Sequence, residues 1–164
     1  MISSGQAEAM STSLWFLDNL VTVHVNEPTL SIVELTGALG DTPPLHVHTD
    51  EDETFYVLEG EVTVHVAGQD PLVLGPGQAA FAPRGVPHVY VVTSSTPARW
   101  LGTSTGHQFA SFVEALSTPA AEPTLPTDVE IDPAHVAAVA ARHGIELLGP
   151  PGTLPQAAGN AATA

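Results

Sequence analysis

Residues 45–60, LHVHTDEDETFYVLEG, carry the clearest structural pattern in the chain. Side chains two residues apart on a β-strand point to the same face, so His46 and His48 can both face inward. The apolar run that opens at Glu53 predicts the next strand, and a hairpin would bring Glu53 back beside the two histidines. The connection between the two strands is polar, and we expect a solvated turn made of Asp50, Glu51 and Asp52.

His88 adds a fourth side chain that can bind a metal. Three imidazoles and one carboxylate suit a divalent first-row transition metal and can leave coordination positions open. The chain contains no cysteine, which excludes thiolate ligands and disulfides. We therefore expect one mononuclear site that binds iron, manganese, nickel, cobalt, copper or zinc through His46, His48, Glu53 and His88.

Short β-branched runs separated by turn residues extend from Leu14 to Thr105. Many short strands with turn residues between them are typical of a β-sandwich or a β-barrel. We predict an all-β domain over residues 14–106, preceded by an N-terminal segment of residues 1–13. The clearest strands are Val21–Val25, Leu30–Leu35, Thr54–Leu58, Glu61–Val66 and Pro71–Leu74.

The hydrophobic pattern changes after Gly106. Apolar residues recur at helical spacing from Phe109 to Leu116, and a second helix is expected over Ala134–His143. Asp132 is its predicted N-cap, Pro133 its first residue and Gly144 its end. We predict a helical extension over residues 107–148 that packs outside the barrel through Phe109, Phe112 and Val136, followed by a flexible tail over residues 149–164.

The charge of the chain excludes some classes of function. At 164 residues it has room for one domain with appendages, and its net charge is −15, with 18 acidic residues and three basic ones. This charge makes binding to nucleic acid or to an anionic membrane surface unfavourable. Residues 1–13 do not resemble a secretory signal and no long apolar run occurs, so we expect a soluble, cytoplasmic protein.

Two linked motifs in this chain resemble the signatures of the cupin superfamily. Sixteen residues separate the motifs, a spacing similar to that of compact single-domain cupins. The chain departs from the pattern at Val92, where cupins have asparagine. The first motif consists of Gly40, His46, His48, Glu53 and Gly60, and the second of Gly77, Pro83, Gly85 and His88.

Several stretches resemble bacterial single-domain cupins related to quercetin dioxygenases, among them residues 53–60, 81–88 and 144–151. The resemblance implies a double-stranded β-helix, or jelly-roll, barrel. It also implies that Glu53 is a metal ligand, the catalytic base that takes the substrate proton, or both. Cupins of this kind are expected to form homodimers through edge strands.

The substrate pocket is predicted from strand parity with the metal ligands. Phe55, Val57, Tyr90 and Val92 share that parity, and Phe81 and Trp100 are further aromatic candidates for the wall. An apolar, partly aromatic cavity above an open metal favours a flat organic substrate. Packing in the barrel core is the alternative role for each of these six side chains.

Three functions remain open at the level of sequence. The first is a dioxygenase that binds a flavonol-like or other enolisable aromatic molecule to the metal as an anion, with dioxygen as co-substrate. The second is an isomerase, lyase or cyclase of a small-molecule pathway, in which Glu53 shuttles protons. The third is a cupin that binds a small molecule without catalysis.

Overall fold

The computed structural model describes residues 12–157, which form two antiparallel sheets and two helices. The larger sheet has the strand order β11-β1-β2-β3-β10-β5-β8, and the smaller has the order β12-β4-β9-β6-β7. The strands are β1 (Leu14–Phe16), β2 (Asn19–Glu27), β3 (Leu30–Gly37), β4 (Pro44–His48), β5 (Glu53–Glu59), β6 (Val62–Val66), β7 (Leu72–Leu74), β8 (Ala79–Ala82), β9 (His88–Val92), β10 (Ala98–Ser104), β11 (Thr118–Pro119) and β12 (Ile145–Pro151).

The hydrophobic core lies between the two sheets, because alternate residues of each strand point inward. In β10 the inward positions include Trp100, and in β3 they include Val33 and Leu35. The smaller sheet contributes Val64 and Val92 to the same core cluster. Two antiparallel sheets packed around one apolar core make a jelly-roll architecture, so the predicted all-β class is confirmed.

The predicted hairpin between β4 and β5 is wrong. β4 pairs with β12 and β9 in the smaller sheet, whereas β5 pairs with β10 and β8 in the larger one. The turn after His48 therefore crosses from one sheet to the other. Glu53 consequently meets the histidines across the core and is not their neighbour within a sheet.

The two helices lie outside the sheets, as predicted. They are α1 (Gln108–Leu116) and α2 (Pro133–Arg142), and neither is long and apolar enough to cross a membrane. The Asp132 carboxylate accepts hydrogen bonds from the backbone N–H groups of Ala134 and His135, at 3.0 and 3.3 Å. This confirms the predicted N-cap of α2. The three predicted core contacts are buried, namely Phe109, Phe112 and Val136.

The chain after α2 differs from the prediction. Ile145–Pro151 forms β12, which pairs with β4 so that Ile145 lies opposite His48 and Leu147 lies opposite His46. The helical extension therefore ends before residue 148, and the predicted flexible tail is wrong for residues 149–151. The partner of β12 is about 100 residues earlier in the chain, so no local pattern indicates the pairing. Residues 1–11 and 158–164, which complete the predicted terminal segments, lie outside the described part of the chain.

Candidate metal centre

The structure brings the four predicted metal ligands together. His46 and His48 lie on β4, Glu53 begins β5 and His88 begins β9. One nitrogen or oxygen atom from each side chain lies within 4.8 Å of the others. His48, Glu53 and His88 are buried, so the cluster lies inside the fold and not on its surface.

Backbone carbonyl groups orient two of the imidazoles. The Nδ1 atom of His46 is 2.8 Å from the carbonyl oxygen of Pro44, and that of His88 is 2.9 Å from the carbonyl oxygen of Val86. A carbonyl oxygen can only accept a hydrogen bond, so Nδ1 donates in both rings. In His46 this tautomer leaves the lone pair on Nε2, the arrangement that metal-binding histidines use. In His88 the Nε2 atom also donates a hydrogen bond, to Glu53 Oε2 at 3.0 Å, so a metal ion would take the place of a proton there.

Glu53 lies between two of the histidines. Its Oε2 atom is 3.0 Å from Nε2 of His88 and 3.3 Å from Nε2 of His48. The second contact lacks the geometry of a hydrogen bond, so Nε2 of His48 is a buried atom with no hydrogen-bond partner within residues 12–157. A buried polar atom without a partner is costly, and a metal ion would satisfy it.

The electrostatics of the cluster also suit a cation. Burial would raise the pKa of Glu53, but His48 and His88 reverse this effect and hold the pKa below its ordinary value. Burial, followed by the neighbouring His88 and His48, lowers the pKa of His46 to about 3. Glu53 as a carboxylate and His46 as an unprotonated imidazole are thus in the forms that bind a divalent ion. Burial would lower the pKa of His88, but its hydrogen bond to Glu53 reverses this and raises the pKa, so metal binding would displace a proton from His88. The donor set and the unpartnered nitrogen both fit a metal.

Glu51 does not form part of a solvated turn, contrary to the prediction. Its side chain is 4% exposed and accepts hydrogen bonds from the backbone N–H groups of Gln108, at 2.5 Å, and Phe109, at 3.0 Å. The first turn of α1 contains no acidic residue of its own. Glu51 therefore supplies a negative charge to this helix N-terminus from the connection between the sheets.

Asp52 is also engaged, because it forms a bidentate ion pair with Arg84. Nε and one terminal nitrogen of the guanidinium group bind the carboxylate at 3.0 and 2.9 Å, and the backbone N–H of Arg84 donates to it at 2.9 Å. These contacts connect the residue before Glu53 to the loop that precedes His88. Of the three residues predicted to form a solvated turn, Asp50 is the one that is exposed, and its carboxylate accepts a hydrogen bond from the Thr49 hydroxyl group.

A cavity of about 590 Å³ opens beside the cluster and is lined by His46, His48 and Glu53. Of the six predicted pocket residues, Phe55, Tyr90 and Trp100 line it. Val57 and Val92 are fully buried in the core and do not. Phe81 is 54% exposed, so its predicted place in the pocket is wrong, because its neighbours Ala80 and Ala82 occupy the inward positions of β8.

Much of the cavity wall comes from residues that the sequence did not indicate. α1 contributes Phe109, whose ring is 5.8 Å from the ring of His48, and β12 contributes Ile145 and Leu147. Asn19 and Asp41 add polar groups from the start of β2 and from the segment before β4. Helical periodicity did identify Phe109 as buried, but which surface it contacts depends on how α1 packs.

Comparison with known families identifies the fold. A family model described as a cupin domain matches residues 35–103, a range that contains the four clustered side chains. Residues 35–103 of this chain therefore match a cupin domain. It is 41% identical over 63 residues to quercetin 2,3-dioxygenase from Bacillus subtilis (strain 168), a match that covers 38% of this chain and 18% of that protein.

The backbone of this chain also aligns with solved structures. KdgF from Halomonas sp. aligns with a TM-score of 0.53 at 21% identity, over 57% of this chain and 85% of that one. An RmlC-like cupin from Shewanella frigidimarina aligns with a TM-score of 0.51 at 25% identity, over 58% of this chain and 84% of that one. These likenesses confirm the predicted jelly roll of the cupin domain.

Proposed function

We propose that this protein is a metal-dependent cupin dioxygenase that acts on a flavonol-like or other enolisable aromatic molecule. One observation carries the proposal: the ligand atoms of His46, His48, Glu53 and His88 lie within 4.8 Å of one another beside a cavity large enough for a small molecule. The cavity volume of about 590 Å³ lies within the range of small-molecule sites, roughly 300–1,000 Å³. The 41% identity to a quercetin dioxygenase over 63 residues supports the choice of substrate class.

The four clustered side chains would hold one divalent ion of iron, manganese, nickel, cobalt, copper or zinc. When bound, such an ion acts as a Lewis acid that stabilises the deprotonated oxygen of a substrate. The protein orients its ligands in advance, since carbonyl groups hold His46 and His88 and the Glu53 carboxylate already lies against two imidazoles. Little side-chain movement is needed for the site to bind metal.

Glu53 has the position of a catalytic base. It lines the cavity and is ionised at neutral pH, and because His48 and His88 hold its pKa below the ordinary value it is a weaker base than a free carboxylate. We propose that Glu53 accepts the proton of the substrate's hydroxyl or enol group, in addition to its role as a ligand.

Aromatic and apolar side chains determine what shape of substrate fits. Phe55, Trp100 and Phe109 line the cavity together with Ile145 and Leu147. Such walls bind a flat apolar ring by burial and by edge contacts between rings. Their apolar surface also lowers the local polarity next to Glu53, which strengthens electrostatic interactions there.

The first experiment measures metal content and oxygen consumption. Protein purified without added metal or chelator is expected to contain about one transition-metal ion per chain, and His88→Ala to bind that ion at least about 100-fold more weakly. His135→Ala, which removes an exposed histidine on α2, is the matched control and should retain the ion. With 3-hydroxyflavone in air, oxygen uptake should follow substrate loss in the wild type and in the control.

The results distinguish this proposal from its alternatives. Substrate conversion without oxygen uptake would replace the dioxygenase with an isomerase, lyase or cyclase that uses the same metal site. Metal binding without conversion of any enolisable aromatic would favour a non-catalytic ligand-binding cupin. Retention of the metal by His88→Ala would refute the proposed centre itself.

A further inference from the structure

One loop contacts the segments that carry three of the four clustered side chains. It is the connection from β8 to β9, residues 83–87, and it ends immediately before His88. The backbone N–H of Gly85 donates to the carbonyl oxygen of His48 at 2.8 Å, so the loop is joined to the end of β4. The carbonyl oxygen of Val86 accepts a hydrogen bond from Nδ1 of His88 at 2.9 Å. The loop therefore holds two of the histidines through its backbone.

Arg84 of this loop and Asp52 form a clamp that reaches the beginning of β5. Oδ1 of the Asp52 carboxylate is 3.0 Å from Nε of the guanidinium group, Oδ2 is 2.9 Å from a terminal nitrogen, and Oδ1 also accepts from the backbone N–H of Arg84 at 2.9 Å. The hydroxyl oxygen of Thr105 lies 3.2 Å from the same terminal nitrogen and accepts from the backbone N–H of Asp52 at 3.0 Å. The clamp thus joins the segments at which β5 begins, β9 begins and β10 ends.

The clamp bears on the metal ligands because Glu53 and His88 lie in different sheets. β5 pairs with β10 and β8, whereas β9 pairs with β4 and β6, so no strand ladder within residues 12–157 sets the distance between these two side chains. Asp52 is the residue directly before Glu53. Arg84 lies four residues before His88, so the clamp links the two sheets next to two of the ligands. A functional site has to be held to within roughly 0.5 Å of its working geometry.

We propose that Arg84 is a positioning residue, which through Asp52 holds the Glu53 carboxylate in place to share one metal ion with the histidines. This inference rests on the metal centre of the proposed function and does not depend on its dioxygenase chemistry. The charge of Arg84 by itself opposes the binding of a cation, so its favourable effect on metal binding comes from geometry. A guanidinium group suits this role, since it binds a carboxylate through two parallel hydrogen bonds that a lysine ammonium group does not reproduce.

Cobalt(II) titration of the chelator-treated protein tests the role of Arg84. The dissociation constant is measured by competition with a chelating dye, and the visible absorption of bound cobalt reports its coordination. Arg84→Gln is expected to bind cobalt about tenfold more weakly than the wild type, at the lower end of the effects of residues that orient metal ligands. Arg84→Lys keeps the charge and loses the paired hydrogen bonds, so its binding should be about threefold weaker. Charge alone predicts the opposite sign for Arg84→Gln, because this variant lacks a positive charge near the ion.

Arg99→Gln is the matched control. The terminal nitrogens of Arg99 also join two carboxylates at the surface of the larger sheet, at 3.0 Å from Glu34 and 2.6 Å from Glu59. Arg99 lies opposite Glu59 in the pairing of β10 with β5, six residues and about 20 Å along the strand from Glu53. Charges at such a distance are screened by salt, so the control should bind cobalt within about twofold of the wild type.

A second background shows whether Arg84 acts through Asp52. Asp52→Ala removes the carboxylate, so replacement of Arg84 by glutamine in that background should change the dissociation constant by less than about threefold. The Arg84 side chain is 51% exposed, and an exposed ion pair contributes little to folding. Urea unfolding of the metal-free variants verifies that each is folded under the titration conditions. A role in stability alone would lower the unfolding midpoint of Arg84→Gln and leave its cobalt affinity and absorption unchanged.

The outcomes separate this inference from the proposed function. If Arg84→Gln binds cobalt as tightly as the wild type or more tightly, or if Arg99→Gln weakens binding equally, the positioning role is refuted while the metal centre stands. The same holds if the effect of Arg84→Gln persists in the Asp52→Ala background. If the wild type does not bind cobalt, the metal centre of the proposed function is refuted and the inference falls with it. Weaker binding in Arg84→Gln that is absent from the control and from the Asp52→Ala background supports the inference.

Discussion

Replacement of Glu51 by alanine should destabilise the protein strongly, although the sequence places this residue in a polar turn. Its buried carboxylate accepts hydrogen bonds from Gln108 N–H and Phe109 N–H at the start of α1. A hydrogen bond to a charged group contributes about 1.5–3 kcal/mol, and its loss leaves a backbone donor unpaired. With two such bonds we expect Glu51→Ala to lower the free energy of unfolding by about 3 kcal/mol or more.

The assay for this prediction is thermal and urea unfolding of three variants. A loss of 3 kcal/mol corresponds to a fall in melting temperature of about 6–12 °C for a domain of this size. Glu51→Gln keeps one accepting oxygen and should show about half the effect. Asp50→Asn alters the exposed neighbouring carboxylate, and it should change stability by less than about 0.5 kcal/mol. Equal stabilities of Glu51→Ala and Asp50→Asn would refute the assignment of Glu51 as the cap of α1.

Two further predictions follow from the sheets. Ile145→Ala should lower the free energy of unfolding by about 2–5 kcal/mol and weaken metal binding, because Ile145 is buried opposite His48. Glu146→Ala, on the exposed face of β12, should have neither effect. Unfolding experiments and metal titrations that give the same result for both variants would contradict this role of β12. Burial would raise the pKa of Glu34, but hydrogen bonds from Arg99 and His24 reverse this effect and lower the pKa. The carboxylate therefore stabilises the fold above about pH 4.5, and this stabilisation is lost as the pH falls through the pKa of the folded state. Urea unfolding should therefore show Glu34→Gln less stable than the wild type by up to about 1 kcal/mol near pH 7, with a difference that shrinks under acid conditions, and a constant difference would be the contrary result.

The candidate metal ligands of β4 could be predicted because their signal is local and chemical. The spacing of His46 and His48 places both on one face of a strand whatever that strand pairs with. The N-cap of α2 is predictable for the same reason, since Asp132 bonds to N–H groups two and three residues later. Features of this kind require only the geometry of a few consecutive residues.

The errors in the prediction concern partners that lie far apart in the chain. Phe81 was assigned to the pocket because it is aromatic, yet its direction depends on the register between β8 and β5, where it lies opposite Thr54. A shift by one residue reverses every side chain of a strand. The sequence of β8, three alanines and one phenylalanine, does not by itself determine which face Phe81 occupies.

Local patterns in the sequence indicated the four candidate ligands and the second helix, and the resemblance of two motifs to the cupin signatures implied the jelly roll. Tertiary structure alone decided that Glu53 meets the histidines from the opposite sheet, that β12 pairs with the strand that bears two of them, and that Glu51 caps α1. It also placed Asp41 beside Tyr90, 49 residues apart in the chain. The physical reason is that these contacts arise from packing two sheets and a helix around one core, and the free energy of that packing belongs to no single segment.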